Sequence, residues 1–306
     1  LAVFLYGTWW TRVRTRLLPC DHYLLTFTRP QQLRTIARTH QKRVYSLLLR
    51  EAAAAVQTVA ADRAWVGGTP GILAVLHTWS RRLDYHPHAH LLVTAGGLSP
   101  DGTAWMKPAH RRFLLPGYTL STIFRVKLRH ALHRAGLDRD IDPTVWQRAW
   151  TVHVQQIGRC EHAARYLSRY IYRVALTNDR LERFALGRVT FRFTHARTGE
   201  TRRETLPVDT FITRFLQHVL PRRFTKVRSY GLLSPSRRAD LERARHLLHL
   251  HDPNAPVAPH DGSQRAADHH DIAEGIATPT VVRCCPVCHR GRLRLIAALA
   301  RSRAPP

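Results

Sequence analysis

The stretch Asp84-Tyr85-His86-Pro87-His88-Ala89-His90-Leu91 carries three imidazoles at alternate positions. On a β-strand alternate side chains share a face, so His86, His88 and His90 point the same way. His88 and His90 then lie ~6.6 Å apart at Cα, close enough for both rings to meet one cation, whereas ~13 Å between His86 and His90 strains a single shared site. A third ligand is therefore expected from a neighbouring strand. His77 ends the preceding apolar run from Ile72, and a hairpin return brings it alongside. Two or three imidazoles leave coordination positions open for phosphate oxygens and water, as Lewis-acid catalysis requires.

A second constellation lies downstream, in His162-Ala163-Ala164-Arg165-Tyr166-Leu167-Ser168-Arg169-Tyr170-Ile171-Tyr172-Arg173-Val174. At helical spacing Leu167, Ile171 and Val174 form a buried stripe, Tyr166 and Tyr170 a second, and Arg165, Arg169 and Arg173 a third. Two phenols at i and i+4 lie one above the other. A phenol has an unperturbed pKa of ~10, and neighbouring guanidinium groups favour its phenolate, the nucleophilic form. The same arginines can hold a scissile phosphate. Metal-poising histidines and tyrosine nucleophiles together are the parts needed to cut DNA through a phosphotyrosine link.

The elements that must position these groups are legible in outline. Tyr23, Leu25 and Phe27 alternate as in a strand that Pro30 ends. The Leu- and Ala-rich run from about Gln31 to Ala61 predicts one helix, which Gly67-Gly68-Thr69-Pro70 closes off. The segments 72–77 and 86–94 predict strands, and 120–135 and 160–176 predict helices. Val189–Thr194 and Arg202–Leu206 flank Arg197-Thr198-Gly199-Glu200 as a hairpin. Asp209 is placed to cap a helix whose Phe211, Phe215 and Val219 share a face. The fold class expected is α+β, with a mainly antiparallel sheet and flanking helices.

Charge narrows the partner. Lys+Arg number 48 against 21 Asp+Glu in 306 residues, a formal net charge of +27. That excludes most enzymes of small acidic metabolism and favours a polyanion. The cations are almost all arginine, whose planar fork matches phosphate. Arg222, Arg223, Arg228, Arg237 and Arg238 are expected to contact phosphates on this ground. No apolar run reaches the ~20 residues a bilayer span needs, and the apolar opening 1–10 lacks a signal peptide's basic lead. Five cysteines, an odd number in a long chain, suit a reducing cytoplasm better than a disulfide framework.

His88-Ala89-His90 resembles the His-hydrophobic-His element of HUH endonucleases, and Tyr166/Tyr170 resembles their two-tyrosine signature. Leu73-Ala74-Val75-Leu76-His77-Thr78-Trp79, Thr94-Ala95-Gly96-Gly97-Leu98-Ser99, Phe215-Leu216-Gln217-His218-Val219-Leu220-Pro221 and Tyr230-Gly231-Leu232-Leu233 resemble phrases of the rolling-circle, two-tyrosine transposases of bacterial insertion sequences. The resemblance covers roughly residues 18–245. It implies a Rep/relaxase-like HUH domain with the metal histidines on the sheet and the nucleophile helix against it. It further implies Mg²⁺ or Mn²⁺ at His88 and His90, with His77 as third ligand, as at comparable upstream spacing in relaxase-type members. Tyr166 and Tyr170 would attack phosphates of single-stranded DNA at the element's ends in turn, leaving 5′-phosphotyrosine and a free 3′-hydroxyl. Four departures accompany the match: Ser229 and Tyr172 stand where histidine is usual, Ala89 is small for the hydrophobic position, and no cysteine-rich zinc region precedes Leu18. Two further functions fit the same residues, a DNA-binding transposase fragment without cleavage and a plasmid replication initiator or relaxase.

By composition the chain divides into a basic N-terminal remnant (1–19), the catalytic region (20–250), a flexible linker (251–281) and a basic tail (282–306). The tail's Cys285-Pro286-Val287-Cys288 is half of a zinc knuckle, and a Zn²⁺ site there would need a second pair of ligands.

Overall fold

The computed structural model describes residues 16–110, 114–159, 163, 175–195, 198–251, 283–284 and 292–293. The chain divides into two compact units, Leu1–His260 and Asp261–Pro306. In the second, the described residues are a short antiparallel pair, Arg283–Cys284 with Arg292–Leu293. The predicted linker, Cys285, Cys288 and most of the tail lie outside the described residues.

Strand β1 (Asp21–Thr28) is followed by a 3₁₀ turn at Gln31–Leu33, helix α1 (Arg34–Thr39) and helix α2 (Gln41–Ala60). The single helix expected over this stretch is thus interrupted. His40 leaves helical geometry with φ −119° and ψ 47°, which ends α1 and starts α2. Strands β2 (Gly71–Trp79) and β3 (Tyr85–Thr94) form a hairpin. The two-residue strands β4 (Gly97–Leu98) and β5 (Trp105–Met106), helix α3 (Gly117–Arg134) and strand β6 (Thr151–Arg159) come next. Strands β7 (Leu181–Ala185), β8 (Arg188–Thr194) and β9 (Thr201–Pro207) precede helix α4 (Val208–Leu216), strand β10 (Val227–Gly231) and helix α5 (Arg238–His251).

The main sheet has the order β10-β2-β3-β1-β6, and every neighbouring pair is antiparallel. This is the α+β architecture expected from the sequence. The hairpin around Gly199 also forms, with Thr194 opposite Thr201. Asp209 does not cap α4. Pro207 holds that position and Asp209 falls in the first turn, while Val219 lies beyond the helix end. Phe211 and Phe215 do share a face, their rings stacked at 6.3 Å.

Period-2 alternation gives the sheet two different faces. On one, Tyr23, Leu25 and Phe27 of β1, Ile72, Ala74 and Leu76 of β2 and Ala89, Leu91 and Val93 of β3 pack beneath α2 and α3. Helix α2 presents Val44, Leu48, Ala52, Ala55 and Val59, and its small alanines let the helix sit close to the sheet. Helix α3 sends Phe124 down between Phe27 and Trp150, edge to face at 5.1 and 5.4 Å. The other face is apolar at one end only. There Leu73, Val75 and Leu92 pack with Leu17, Leu18, Leu232, Leu233 and the α5 residues Leu241, Ala244 and Leu248. Gly231 ends β10 at φ +57°, and a Cβ there would collide with the carbonyl of Pro70. Glycine is what this crossing requires.

His22, on β1, is 1% exposed, and burial pushes its imidazole down to about 4, opposed by the backbone of Cys20. The unfolded chain therefore binds more protons than the folded one between the unfolded value of ~6.5 and about 4. Stability is highest above the upper limit and falls as pH drops through this window. Replacing His22 by Leu should flatten that decline, by on the order of 3 kcal/mol at the acid end. Urea denaturation of both proteins at a series of pH values reads the difference.

Candidate metal centre

The hairpin register decides which histidines meet. β2 and β3 pair Leu73 with Leu92, Val75 with His90 and His77 with His88. Directly opposed residues point to the same face, so His77 joins His88 and His90 on the face away from α2 and α3. One ring nitrogen from each of the three lies within 4.8 Å of the others. Ring centroids are 4.6 Å apart for His77–His90, 4.8 Å for His88–His90 and 5.5 Å for His77–His88. His77 and His90 are buried and His88 is half-buried, so the cluster opens on the His88 side. His86 stays outside this group although its ring is 5.3 Å from that of His88. Burial, with His88, Arg29 and Arg34 nearby, pushes its imidazole down to about 4.

The surroundings fix how the rings present their lone pairs. His88 Nδ1 donates to the carbonyl of His86 at 2.6 Å, which leaves Nε2 as its acceptor. His90 Nδ1 lies 3.1 Å from Thr26 Oγ1 across the β1–β3 pairing, where Thr26 faces His90. With Nδ1–H given to that hydroxyl, His90 also turns Nε2 toward the cluster. Such outer partners orient metal-ligating imidazoles and raise their basicity. His77 is held by stacking, its ring 4.8 Å from that of Trp79 and nearly parallel at 17°. Lys226 Nζ sits 5.2 Å from the centre of the Trp79 ring, and burial pushes its ammonium down to about 8.

The turn that sets this register is itself braced. Ser80 Oγ donates to Asp84 Oδ2 at 3.0 Å and accepts from the backbone N–H groups of Arg82 and Asp84. Leu83 takes a left-handed φ of 62° and is fully buried beside Phe191, Phe193 and Leu206. His218 Nε2 donates to the Leu83 carbonyl at 3.1 Å, and its Nδ1 lies 3.3 Å from the Thr78 hydroxyl. His218 thus ties the chain after α4 to the end of β2 and to the hairpin turn.

Three neutral nitrogen donors fit a divalent first-row cation, and no carboxylate belongs to the group. The centre can therefore hold a divalent metal on three imidazoles, with no carboxylate in the group among the described residues. Sequence patterning alone gives Thr26, Trp79, Lys226 and His218 no role. For Thr26 the signal was present, since an alternating hydroxyl on a neighbouring strand can meet a histidine, but only the register says which one.

Of the other expected site residues, Arg165, Tyr166, Arg169, Tyr170 and Arg173 lie outside the described residues. Ala163, just ahead of them in sequence, is fully buried in the apolar cluster on the histidine face, with Leu73, Val75 and Leu92. Arg222, Arg223, Arg237 and Arg238 are exposed. Arg228 instead donates to Ser46 Oγ at 2.9 Å with its guanidinium 5.0 Å from the Phe224 ring centre.

A family described as "Putative transposase" matches residues 71–240, from the first residue of β2 into α5. The chain belongs to this transposase family. Among its relatives, a "Putative transposase y4qJ" of Sinorhizobium fredii (strain NBRC 101917 / NGR234) is 34% identical over 321 residues, which cover 97% of this chain and 78% of that protein. A "Transposase for insertion sequence element IS801" of Pseudomonas savastanoi pv. phaseolicola is 32% identical over 242 residues, 74% of this chain and 57% of that protein. No solved structure matches. Among the described residues no helix is long and apolar enough to cross a membrane.

The hydroxyl behind His90 makes a sharp expectation. Thr26→Val keeps the volume and removes the partner of His90 Nδ1. Affinity for Mn²⁺ should fall by ~10–100-fold with the fold intact. Titration calorimetry with far-UV circular dichroism measures both.

Proposed function

We propose that this transposase cleaves and rejoins single-stranded DNA at the ends of its element, in rolling-circle transposition, through 5′-phosphotyrosine intermediates formed by Tyr166 and Tyr170. The observation that carries the reading is the gathering of His77, His88 and His90 on one sheet face. Burial of Ala163 on that face supports it, because the tyrosines follow within a few residues. The net charge of +27 supports a polyanionic substrate.

In this reading the three imidazoles hold a divalent ion, Mg²⁺ or Mn²⁺. When bound, such an ion supplies Lewis-acid polarisation of the scissile phosphate. The remaining chemistry belongs to the chain. Arg165, Arg169 and Arg173 bind phosphate oxygens and favour the phenolate by their charge. The phenolate oxygen of one tyrosine attacks phosphorus, and the P–O3′ bond breaks. The 3′ oxygen departs with the electron pair and takes up a proton, leaving a free 3′-hydroxyl. The new phosphotyrosine bond replaces the one that breaks, so no external energy source is needed. The second tyrosine repeats the attack at another phosphate. Strand transfer reverses the step, as a 3′-hydroxyl attacks the phosphotyrosine and the phenolate leaves.

Tyr166→Phe/Tyr170→Phe should abolish the covalent adduct with single-stranded DNA of the element's ends on a denaturing gel. His88→Ala/His90→Ala should abolish it too while retaining salt-dependent binding. An adduct that survives either change overturns the assignment. A wild-type protein that binds DNA but forms no adduct with either metal favours the non-cleaving alternative. The all-nitrogen donor set further predicts that Mn²⁺ supports the adduct at lower concentration than Mg²⁺.

A further inference from the structure

At the end of β1 the chain turns out of the sheet toward α1, and three arginines gather there. Arg29, one residue beyond β1, is 2% exposed. Its Nη1 donates to the Pro30 carbonyl at 3.0 Å, while Nε and Nη2 are buried without a partner. Nε of Arg34 is likewise buried and unpartnered. The Arg38 guanidinium stands 6.0 Å from the centre of the Tyr85 ring.

A guanidinium does not shed its proton to escape burial. Burial lowers Arg29 only to about 10, so it is a cation at neutral pH. Among the described residues no carboxylate forms an ion pair with Arg29, Arg34 or Arg38. Tyr45 and Tyr85 lie close, their hydroxyls bonded at 2.7 Å, but burial pushes both phenols up and keeps them neutral. A buried cation without its anion is strongly unfavourable, so the arrangement is complete only when an anion is supplied.

The adjoining space receives one. A cavity of about 480 Å³ is lined by Arg34, Arg38, Asp84, Tyr85, Arg214 and Gln217, among others. Asp84 and Arg214 are already engaged: Arg214 Nη1 lies 2.9 Å from Glu204 and 3.7 Å from Asp84, which also accepts from Ser80. The neighbouring cations therefore outweigh the one lining carboxylate. The cavity lies at the strand end behind the histidine face: Tyr85 packs on the helix face with Ala89 and Leu91, while His88 takes the other, and Arg29 follows Thr28, which pairs with His88.

We propose that this cavity is a phosphate subsite, in which Arg34 and Arg38 bind a phosphodiester of the DNA strand and buried Arg29 supplies the field that holds it. The subsite would anchor the strand at a phosphate other than the one at the histidines, and so set which linkage reaches them. The identity of the ligand as substrate DNA rests on the function proposed above; the subsite's affinity for phosphate does not.

The test uses the full chain and a fluorescein-labelled single-stranded oligonucleotide in EDTA, where cleavage is silent. Arg34→Ala/Arg38→Ala should weaken binding about tenfold and lower the slope of log K against log salt by about 0.7 for each phosphate no longer neutralised. Arg29→Met should weaken binding too, yet raise the melting temperature of the DNA-free protein by roughly 2–4 °C, because an unpaired buried charge is removed. Unchanged affinity and slope in the double variant, with no effect of inorganic phosphate on the wild type's melting temperature, overturn the subsite. If inorganic phosphate raises the melting temperature of the wild type while the double variant still binds the oligonucleotide normally, the cavity holds free phosphate and the DNA assignment falls. Adduct formation with Mn²⁺ is scored separately. Its absence alongside the arginine effects removes the nuclease reading and leaves the subsite standing.

Discussion

The pairing of β2 with β3 sets His77 opposite His88, and the candidate site depends on that register. A slip of one residue would turn one strand's side chains to the other face, separating the imidazoles and sending Leu76 or Ala89 away from α2 and α3. The apolar alternation on the helix face therefore enforces the polar alternation on the other. Ser80, Asp84 and buried Leu83 hold the turn, and His218 closes it from the far side. The site's geometry is thus guarded by the same hydrophobic burial that stabilises the sheet.

The two faces of the sheet divide the work. One is sealed beneath helices, with α2 and α3 supplying continuous apolar stripes. The other combines an apolar end, covered by α5 and Leu232–Leu233, with a polar end where the imidazoles gather. A polar patch next to a packed one gives the imidazoles a rigid platform, with His88 the least buried of the three. Thr26 and the His86 carbonyl orient His90 and His88 from opposite sides, so ligand direction is set before any ion arrives.

Electrostatics ties the site to its surroundings. Among the described residues no carboxylate joins the three imidazoles, and the many arginines of the chain add a long-range positive field. Where an acid does pair, it is often spent on bracing the fold, as Glu204 is between Arg82 and Arg214. Such bracing does not reach Arg29, whose charge is buried and whose Nε and Nη2 are without a partner.

Short-range periodicity carries the local facts. Alternating histidines on a strand, the α+β class, the hairpin around Gly199 and the place of His77 as a cross-strand neighbour all follow from it, because strand and helix geometry repeat over a few residues. The failures of such reasoning are local too. His40 breaks a run that Leu and Ala content joins into one helix, and Pro207 takes the cap position that Asp209 suits by type. Strands β6 and β10 carry weak alternation, and only pairing with β1 and β2 makes them strands. Folding in three dimensions settles which distant residues meet: Thr26 with His90, His218 with Leu83, and Arg29 with Tyr85 instead of a carboxylate. These contacts join segments far apart in the chain, and nothing in local propensity encodes them. They are fixed by sheet order and register, which the whole core selects at once.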